Sequence, residues 1–322
     1  MEGKMIQIQT ILLPFILLPS PPSHAVIDAA AGHIVTCVLI LMKIARLLLA
    51  LVLSTAAVHA QSTPDAAGLQ LYSLRSQFTL RGVPWTLDRV KEFGIQEVEL
   101  AGTYNLSPAA FRALLDERGL KAVSSHFPYK RYKDDLENVV KDAQELGIRF
   151  AGCAWIDHKD TFDEAECREA AAVFNKAGEA LKKVGITFFY HFHGFEFEKH
   201  GDGTLFDLFM AETKPEFVSG QMDVLWIVFP GQNPVQLLEK HRGRWVLMHL
   251  KDLKKGIATG SLSGSTDVAN DVTLGTGQMD WPAIFAAARA VGVKHYFIED
   301  ESPTSMEQIP ASLSFLRRHG FK

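Results

Sequence analysis

The sequence predicts an α/β protein, a (β/α)8 TIM barrel forming a single domain after an N-terminal signal peptide. Three observations carry this. Apolar, β-branched runs alternate eight times with amphipathic helical patterns, the signature of parallel βα units. Residues 61–322, which hold them, number 262, close to the roughly 250 of an eight-unit barrel. No Gly/Ser linker, charge block or low-complexity run divides that stretch. A doubly wound open sheet would carry a G-x-G-x-x-G loop after an early strand. The lone Gly275-Thr-Gly277 instead follows the seventh strand and leads into Trp281.

The first strand is expected at 68–73, with a helix at 85–93 started by Pro84. A second strand at 95–100 precedes a helix at 108–118, capped by Ser107 and stopped by Gly119. The third strand is placed at 120–125. In the helix at 135–146, Leu136, Val139, Val140 and Ala143 share one face before Gly147 ends it. Strands follow at 148–154, 187–193, 218–222, 245–250 and 296–298, with helices at 164–184, 205–211, 234–240, 281–290 and 305–318.

The chain has 322 residues, 47% hydrophobic and 22% charged, with a net charge of -4, a profile that excludes disorder. Residues 1–60 hold only three of the 33 basic and two of the 37 acidic residues, so the remainder is near -5. That balance lacks the basic footprint a nucleic-acid binder needs. From Met42 the chain shows a short basic region (Lys43, Arg46), an apolar run at 47–53 and small residues with Val58 and Ala60 at the -3 and -1 positions. This predicts a secretory signal peptide cleaved after Ala60, with Met42 as the true start and 1–41 an upstream extension. A membrane anchor at 34–58 is the alternative, but Lys43 and Arg46 interrupt it. A periplasmic or secreted protein without stable membrane insertion is expected. Cys37 leaves with the leader, and Cys153 and Cys167 alone are no disulfide framework.

In a parallel barrel the active site lies at the C-terminal strand ends, and these ends are rich in metal-ligand residue types. Strand two ends on Glu99, and strand three runs into His126. Strand five ends on His191 and His193, with Glu196 three residues further on. Strand six ends on Asp223, strand seven on His249 followed by Lys251, and strand eight on Glu299. His191 and His193, two apart, would share a face of a strand. His191, the deeper, could equally be a buried core histidine, while His193 is favoured as a ligand. Asp223, set among apolar residues, needs a cation or must cap a helix. With His249 and Glu299 these residues form a mixed nitrogen and oxygen set suited to Mn²⁺, Co²⁺, Fe²⁺, Zn²⁺ or Mg²⁺. Such a divalent metal ion would act as a Lewis acid beside a carbon-bound proton. His158, His200, His241, His295 and His319 are expected to face solvent, and the Gly/Ser/Thr/Asn-rich stretch 257–271 to form a loop over the mouth.

Several motifs together resemble the xylose isomerase-like TIM-barrel superfamily, in its sugar phosphate isomerase/epimerase branch. They are Gly68-Leu-Gln-Leu-Tyr-Ser-Leu-Arg75, Val98-Glu-Leu-Ala-Gly102, Tyr190-His-Phe-His-Gly-Phe-Glu-Phe197, Met222-Asp223, His249-Leu-Lys-Asp252, Leu274-Gly-Thr-Gly-Gln-Met-Asp-Trp281 and Phe297-Ile-Glu299. The resemblance implies a divalent-metal site of Glu/Asp/His/Glu type, carried over to strand five, Asp223, His249 and Glu299. Strand five offers His191 and His193 where ketose epimerases have a proton-shuttling glutamate. This departure favours relatives with histidine near the metal, such as inosose dehydratase-like enzymes or enzymes that eliminate from 3-keto-glycosides.

The expectation is a secreted, metal-dependent isomerase, epimerase or lyase on a small-molecule carbohydrate, with homo-oligomerisation left open. His193, Asp223, His249 and Glu299 are its expected metal ligands, and Glu299 also exchanges the proton. Glu99, His126, His191 and Lys251 are candidates for acid, base or hydroxyl recognition. A non-catalytic carbohydrate-binding barrel and an endonuclease IV-like hydrolase are the rival readings.

Overall fold

The computed structural model describes residues 66–322, so the leader, Met42 and the cleavage site after Ala60 lie outside the described residues. Eight parallel strands close into a barrel: β1 (Ala67–Gln70), β2 (Glu97–Leu100), β3 (Lys121–His126), β4 (Phe150–Cys153), β5 (Thr187–His191), β6 (Val218–Asp223), β7 (Trp245–Leu250) and β8 (His295–Ile298). Closure comes from β1 pairing with both neighbours, Leu69 opposite Ile298 on one side and Val98 on the other. Among the described residues, no helix is long and apolar enough to cross a membrane. Cys153 and Cys167 are both buried and unpaired with each other.

The barrel floor is a small apolar cluster of Val123, Phe189, Leu247 and Phe297, all fully buried. Side chains on a strand alternate faces with period two. The residue two further along β5, β7 and the end of β8 therefore returns to the interior, and these residues are His191, His249 and Glu299. The apolar layer thus sets the height and direction of the polar layer above it.

The outer helices follow the expected order with three additions. A 3-10 turn at Leu71–Leu74 and a helix α1 (Arg75–Arg81) fill the interval before α2 (Val83–Glu92). The first strand therefore stops at Gln70, whose side chain accepts from the Tyr72 N–H and turns the backbone out of the sheet. Beyond α3 (Pro108–Asp116), a short α4 (Tyr129–Asp134) precedes α5 (Leu136–Leu146). After α6 (Glu164–Lys183) and α7 (Leu205–Glu212), the five-residue α8 (Val224–Val228) is capped by Asp223, ahead of α9 (Pro234–Lys240), α10 (Trp281–Val291) and α11 (Ser305–Arg318). The Ser107 cap and the left-handed Gly147 stop are as the sequence indicates.

Strand five ends at His191, two residues short of expectation. The His193 N–H is captured by both oxygens of the Glu196 carboxylate, at 3.1 and 3.0 Å, which bends the chain away from the barrel.

Helix α6 packs so close to the segment before β6 that a Cβ on Gly178 would lie 2.0 Å from the Phe217 carbonyl oxygen. Ala in place of Gly within a helix normally adds about 1 kcal/mol of stability. Here Gly178→Ala is expected to destabilise by about 1–3 kcal/mol, because backbone and not a flexible side chain must move. A lowered denaturation midpoint checks the sign.

Candidate active site

The polar layer is organised by Gln221 on β6. Its amide nitrogen donates to Glu99 Oε2 at 2.8 Å, so its oxygen is the atom facing two histidines, 3.0 Å from His191 Nδ1 and 2.9 Å from His126 Nε2. A carboxylate only accepts and an amide oxygen only accepts, so both ring nitrogens must be donors. This fixes His191 as the neutral tautomer with its Nε2 lone pair free. Burial keeps it neutral, holding its pKa well below the ordinary value.

His249 on β7 is held from both sides. Its Nε2 meets Glu99 Oε1 at 2.5 Å, and its Nδ1 meets Glu299 Oε2 at 2.8 Å, with Asp223 Oδ2 at 3.7 Å. Burial opposes charge on this ring, but Glu299 and Glu99 outweigh it and hold its pKa well above the ordinary value. Burial also opposes ionisation of Glu99, yet His126 and His249 hold that carboxyl down at about 2. Its remaining partners are Gln70 at 2.7 Å and Ser124 at 2.6 Å. Glu99 is fully buried and does not itself line the cavity, but its partners Gln70, His126 and His249 do.

Ligand atoms of His191, Asp223, His249 and Glu299 all lie within 4.8 Å of one another, and all four residues are buried. Asp223 Oδ1 caps α8, accepting from Leu225 N at 2.8 Å and Trp226 N at 3.2 Å, while Oδ2 is buried without a hydrogen bond. The helix-cap expectation for Asp223 holds at Oδ1, and Oδ2 is the oxygen left for a cation. A carboxylate oxygen without a hydrogen bond beside a second carboxylate and two histidines is a donor set that could hold a cation once His249 gives up its Nδ1 proton. Burial raises the Asp223 pKa, as expected of a carboxylate without one. Glu299 is kept ionised against burial by Lys251 and His249.

His193 does not belong to this group. It lies past the strand end, its ring 4.7 Å from that of His191 and 5.1 Å from that of Trp155, and its Nδ1 is buried without a partner. Of the two strand-five histidines it is His191 that joins the cluster, because the alternation that made the two equivalent stops there. His126 also comes within 4.8 Å of His191 and His249, but its Nε2 is committed to Gln221. Lys251 is buried, with Nζ 2.5 Å from Glu301, 3.7 Å from Asp271 and 3.9 Å from Glu299, above the Trp226 ring. Burial disfavours its charge, but Glu299 and Asp271 hold its pKa well above the ordinary value.

A cavity of about 680 Å³ opens over this layer, bordered by His126, His191, His193, His249, Lys251 and Glu299. Gly264, Ser265, Thr266 and Val268 also line it, so the stretch 257–271 lies over the mouth as expected. Its base is pinned by antiparallel pairing of Asp252–Leu253 with Asp271–Val272. The Gly275-Thr-Gly277 turn wraps a carboxylate: Asp252 accepts from Gly275 N, Gly277 N, Met279 N and Trp281 Nε1. The five discounted histidines are half-buried instead of solvent-facing. His319 packs 4.2 Å from the Phe315 ring, and His295 bonds Glu97 at 2.8 Å.

Two predictions arise here. Glu99→Gln keeps an acceptor for His249 but removes the charge that orients and strengthens it, and should weaken divalent-metal affinity about 10–100-fold, measured by competition with a chelating dye. Glu196, fully buried with Tyr190 Oη at 2.5 Å, has its pKa raised by burial to about 7. The folded form therefore binds the proton more tightly than the unfolded chain. Its stabilising contribution is present below the unfolded value near 4.5 and is lost as pH rises through about 7. Unfolding free energy should fall across that window by on the order of 3 kcal/mol, and Glu196→Gln should flatten the slope in denaturant titrations.

Residues 87–319 match the family described as "Xylose isomerase-like TIM barrel". The inosose dehydratase of Geobacillus thermodenitrificans (strain NG80-2) is 25% identical over 274 residues, spanning 71% of this chain and 89% of that protein. The inosose dehydratase of Lacticaseibacillus casei is 26% identical over 275 residues, with 71% and 89% covered. The crystal structure of a sugar phosphate isomerase/epimerase from Parabacteroides distasonis ATCC 8503 aligns with a TM-score of 0.64 at 25% identity, covering 80% of this chain and 94% of that one. The IolI protein with a bound zinc atom aligns with a TM-score of 0.63 at 12% identity, covering 80% and 99%, a likeness of fold alone.

Proposed function

The chain belongs to the xylose isomerase-like TIM barrel family, and from that premise we propose that it is a divalent-metal-dependent carbohydrate enzyme that removes a proton from carbon next to a carbonyl, working as a lyase. The observation that carries this is the convergence of ligand-type atoms of His191, Asp223, His249 and Glu299 beneath one cavity, with Asp223 Oδ2 buried and without a hydrogen bond. A divalent metal held by these four supplies Lewis-acid polarisation of the carbonyl.

Glu299, kept ionised and 9% exposed at the cavity floor, accepts the carbon-bound proton. Epimerisation needs a second proton carrier on the opposite face of the carbon. His191 is the histidine of strand five at the cavity floor, but its Nδ1–H is committed to Gln221 and the residue itself belongs to the proposed ligand group. Elimination needs instead a donor for the departing hydroxyl, and the protonated Lys251 ammonium, 3.9 Å from Glu299, is placed for it. The carbon–oxygen bond breaks as the carbon–hydrogen pair becomes the new double bond, and water leaves. The names of the relatives, inosose dehydratases, agree with a dehydration.

Four acidic residues, Asp157, Asp271, Glu299 and Glu301, line the cavity against Lys251 and the His249 ring, an acidic balance that disfavours phosphodiesters and sugar phosphates alike. The proposed substrate is therefore a neutral keto-sugar, cyclitol or keto-glycoside, of the kind an exported enzyme would meet if the secretion expected from residues 42–60 holds. The test is incubation with Mn²⁺, Co²⁺ or Zn²⁺ in deuterium oxide with free keto-sugars, inososes and 3-keto-glycosides, read by mass spectrometry. Loss of water or deuterium at the carbon beside the carbonyl is expected. Carbohydrate binding with neither would establish the non-catalytic barrel instead.

A further inference from the structure

We infer that the outer half of the cavity is a second sugar subsite, built on Trp155 with Tyr72 and Val268, so that the substrate is a two-ring glycoside and not a single sugar or cyclitol. The inference rests on the carbohydrate reading above and adds where the second ring lies. Of the six large apolar side chains that stay exposed among the described residues, these three line this one cavity, Trp155 40% and Tyr72 42% exposed. Exposed apolar side chains scattered singly are ordinary, but their gathering at one cavity mouth marks a ligand surface.

Trp155 is a fixed platform. His158 stacks on its indole at 5.2 Å, and Phe195 and His193 meet it edge-on at 4.9 and 5.1 Å. Its distance from the reacting centre suits a neighbouring sugar. The rings step outward from His191 to His193 at 4.7 Å and from His193 to Trp155 at 5.1 Å, while exposure rises from 3% at His191 to 40% at Trp155. One sugar ring over the metal-type residues thus leaves the next ring beside the indole, whose apolar face suits the C–H face of a pyranose.

Volume agrees. The cavity's 680 Å³ lies within the roughly 300–1,000 Å³ of sites that enclose a drug-sized ligand, which is room for two linked rings. Charge restricts the second ring as it does the first. Asp157 is the charged lining residue beside Trp155 in the chain, while the Lys251 ammonium and the Arg75 guanidinium, which lies 4.4 Å over the Tyr72 ring, are both paired with Glu301. An anionic second group is disfavoured.

Calorimetric titration of the full chain with glucose, maltose, cellobiose and glucose 6-phosphate tests this. A disaccharide should bind at least tenfold more tightly than glucose, and glucose 6-phosphate more weakly than glucose. Trp155→Ala should erase the disaccharide advantage to within about twofold, and Tyr72→Ala should reduce it, each variant keeping the wild-type circular dichroism. Equal affinity for glucose and both disaccharides overturns the inference, as does an advantage that survives in whichever variant folds. The two readings fail separately. Disaccharide binding without turnover of any keto-sugar removes the activity and leaves the subsite, whereas turnover of single-ring substrates with no gain from a second ring removes the subsite and leaves the activity.

Discussion

Glu299→Gln is expected to lower the rate of deuterium exchange or water loss about 10²–10⁴-fold, the usual contribution of a positioned general base, while the barrel still folds. The side chain sits one strand repeat above Phe297 and is 9% exposed, so an isosteric amide fits the same space. What changes is the charge. Lys251 and His249 lower the Glu299 pKa well below the ordinary value because both surround an anion. A neutral amide has no capacity to take a proton from carbon. It also leaves Lys251 with Glu301 and Asp271 as its carboxylate partners. Because Glu299 is also one of the four proposed ligands, metal affinity should fall as well, and with metal held saturating the effect should fall on kcat more than on KM. A rate within threefold of wild type would assign the base elsewhere.

Asp223→Asn separates the two duties of that side chain. Asn caps helices about as well as Asp, so the bonds from Leu225 N and Trp226 N to Oδ1 should persist and the fold should hold. The orphaned Oδ2, however, becomes an amide nitrogen that only donates. Divalent-metal affinity should fall by at least 100-fold, and activity with it, while the metal-free melting temperature shifts little, because the burial cost of the carboxylate and its 3.7 Å ion pair with His249 are lost together. Metal-supported stabilisation, following the ligand linkage of melting temperature on metal concentration, should vanish in the variant. Retention of that stabilisation would show that Oδ2 is not a ligand.

Most of the barrel was legible in the chain because each βα unit announces itself twice, by an apolar strand and by a cap or glycine at the next boundary. Ser107, Gly147 and the apolar face of 135–146 are such signals. The strand ends also exposed Asp223, His249 and Glu299, since a charged residue directly after buried apolar residues has few structural uses. The choice between His191 and His193 was not legible from alternation, which assumes a strand of known length. The signal that resolves it is Glu196, whose carboxylate ends the strand by taking the His193 N–H. Gln70, Ser124 and Gln221 were missed altogether. Neutral amides and hydroxyls on strands carry no sequence pattern of their own, yet Gln221 sets the tautomer of two histidines. Helix α1 was missed because only Phe78 of its residues is buried, so it shows too little apolar periodicity.

The central claim is that His191, Asp223, His249 and Glu299 form one divalent-metal site, and metal stoichiometry after equilibrium dialysis tests it most directly. The protein starting at Gln61, dialysed against Zn²⁺, Mn²⁺ or Co²⁺ and analysed by plasma mass spectrometry, should retain one ion per chain. The Asp223→Asn/His249→Ala double variant, folded by circular dichroism, should retain none. An ion held by that double variant with wild-type affinity would contradict the account.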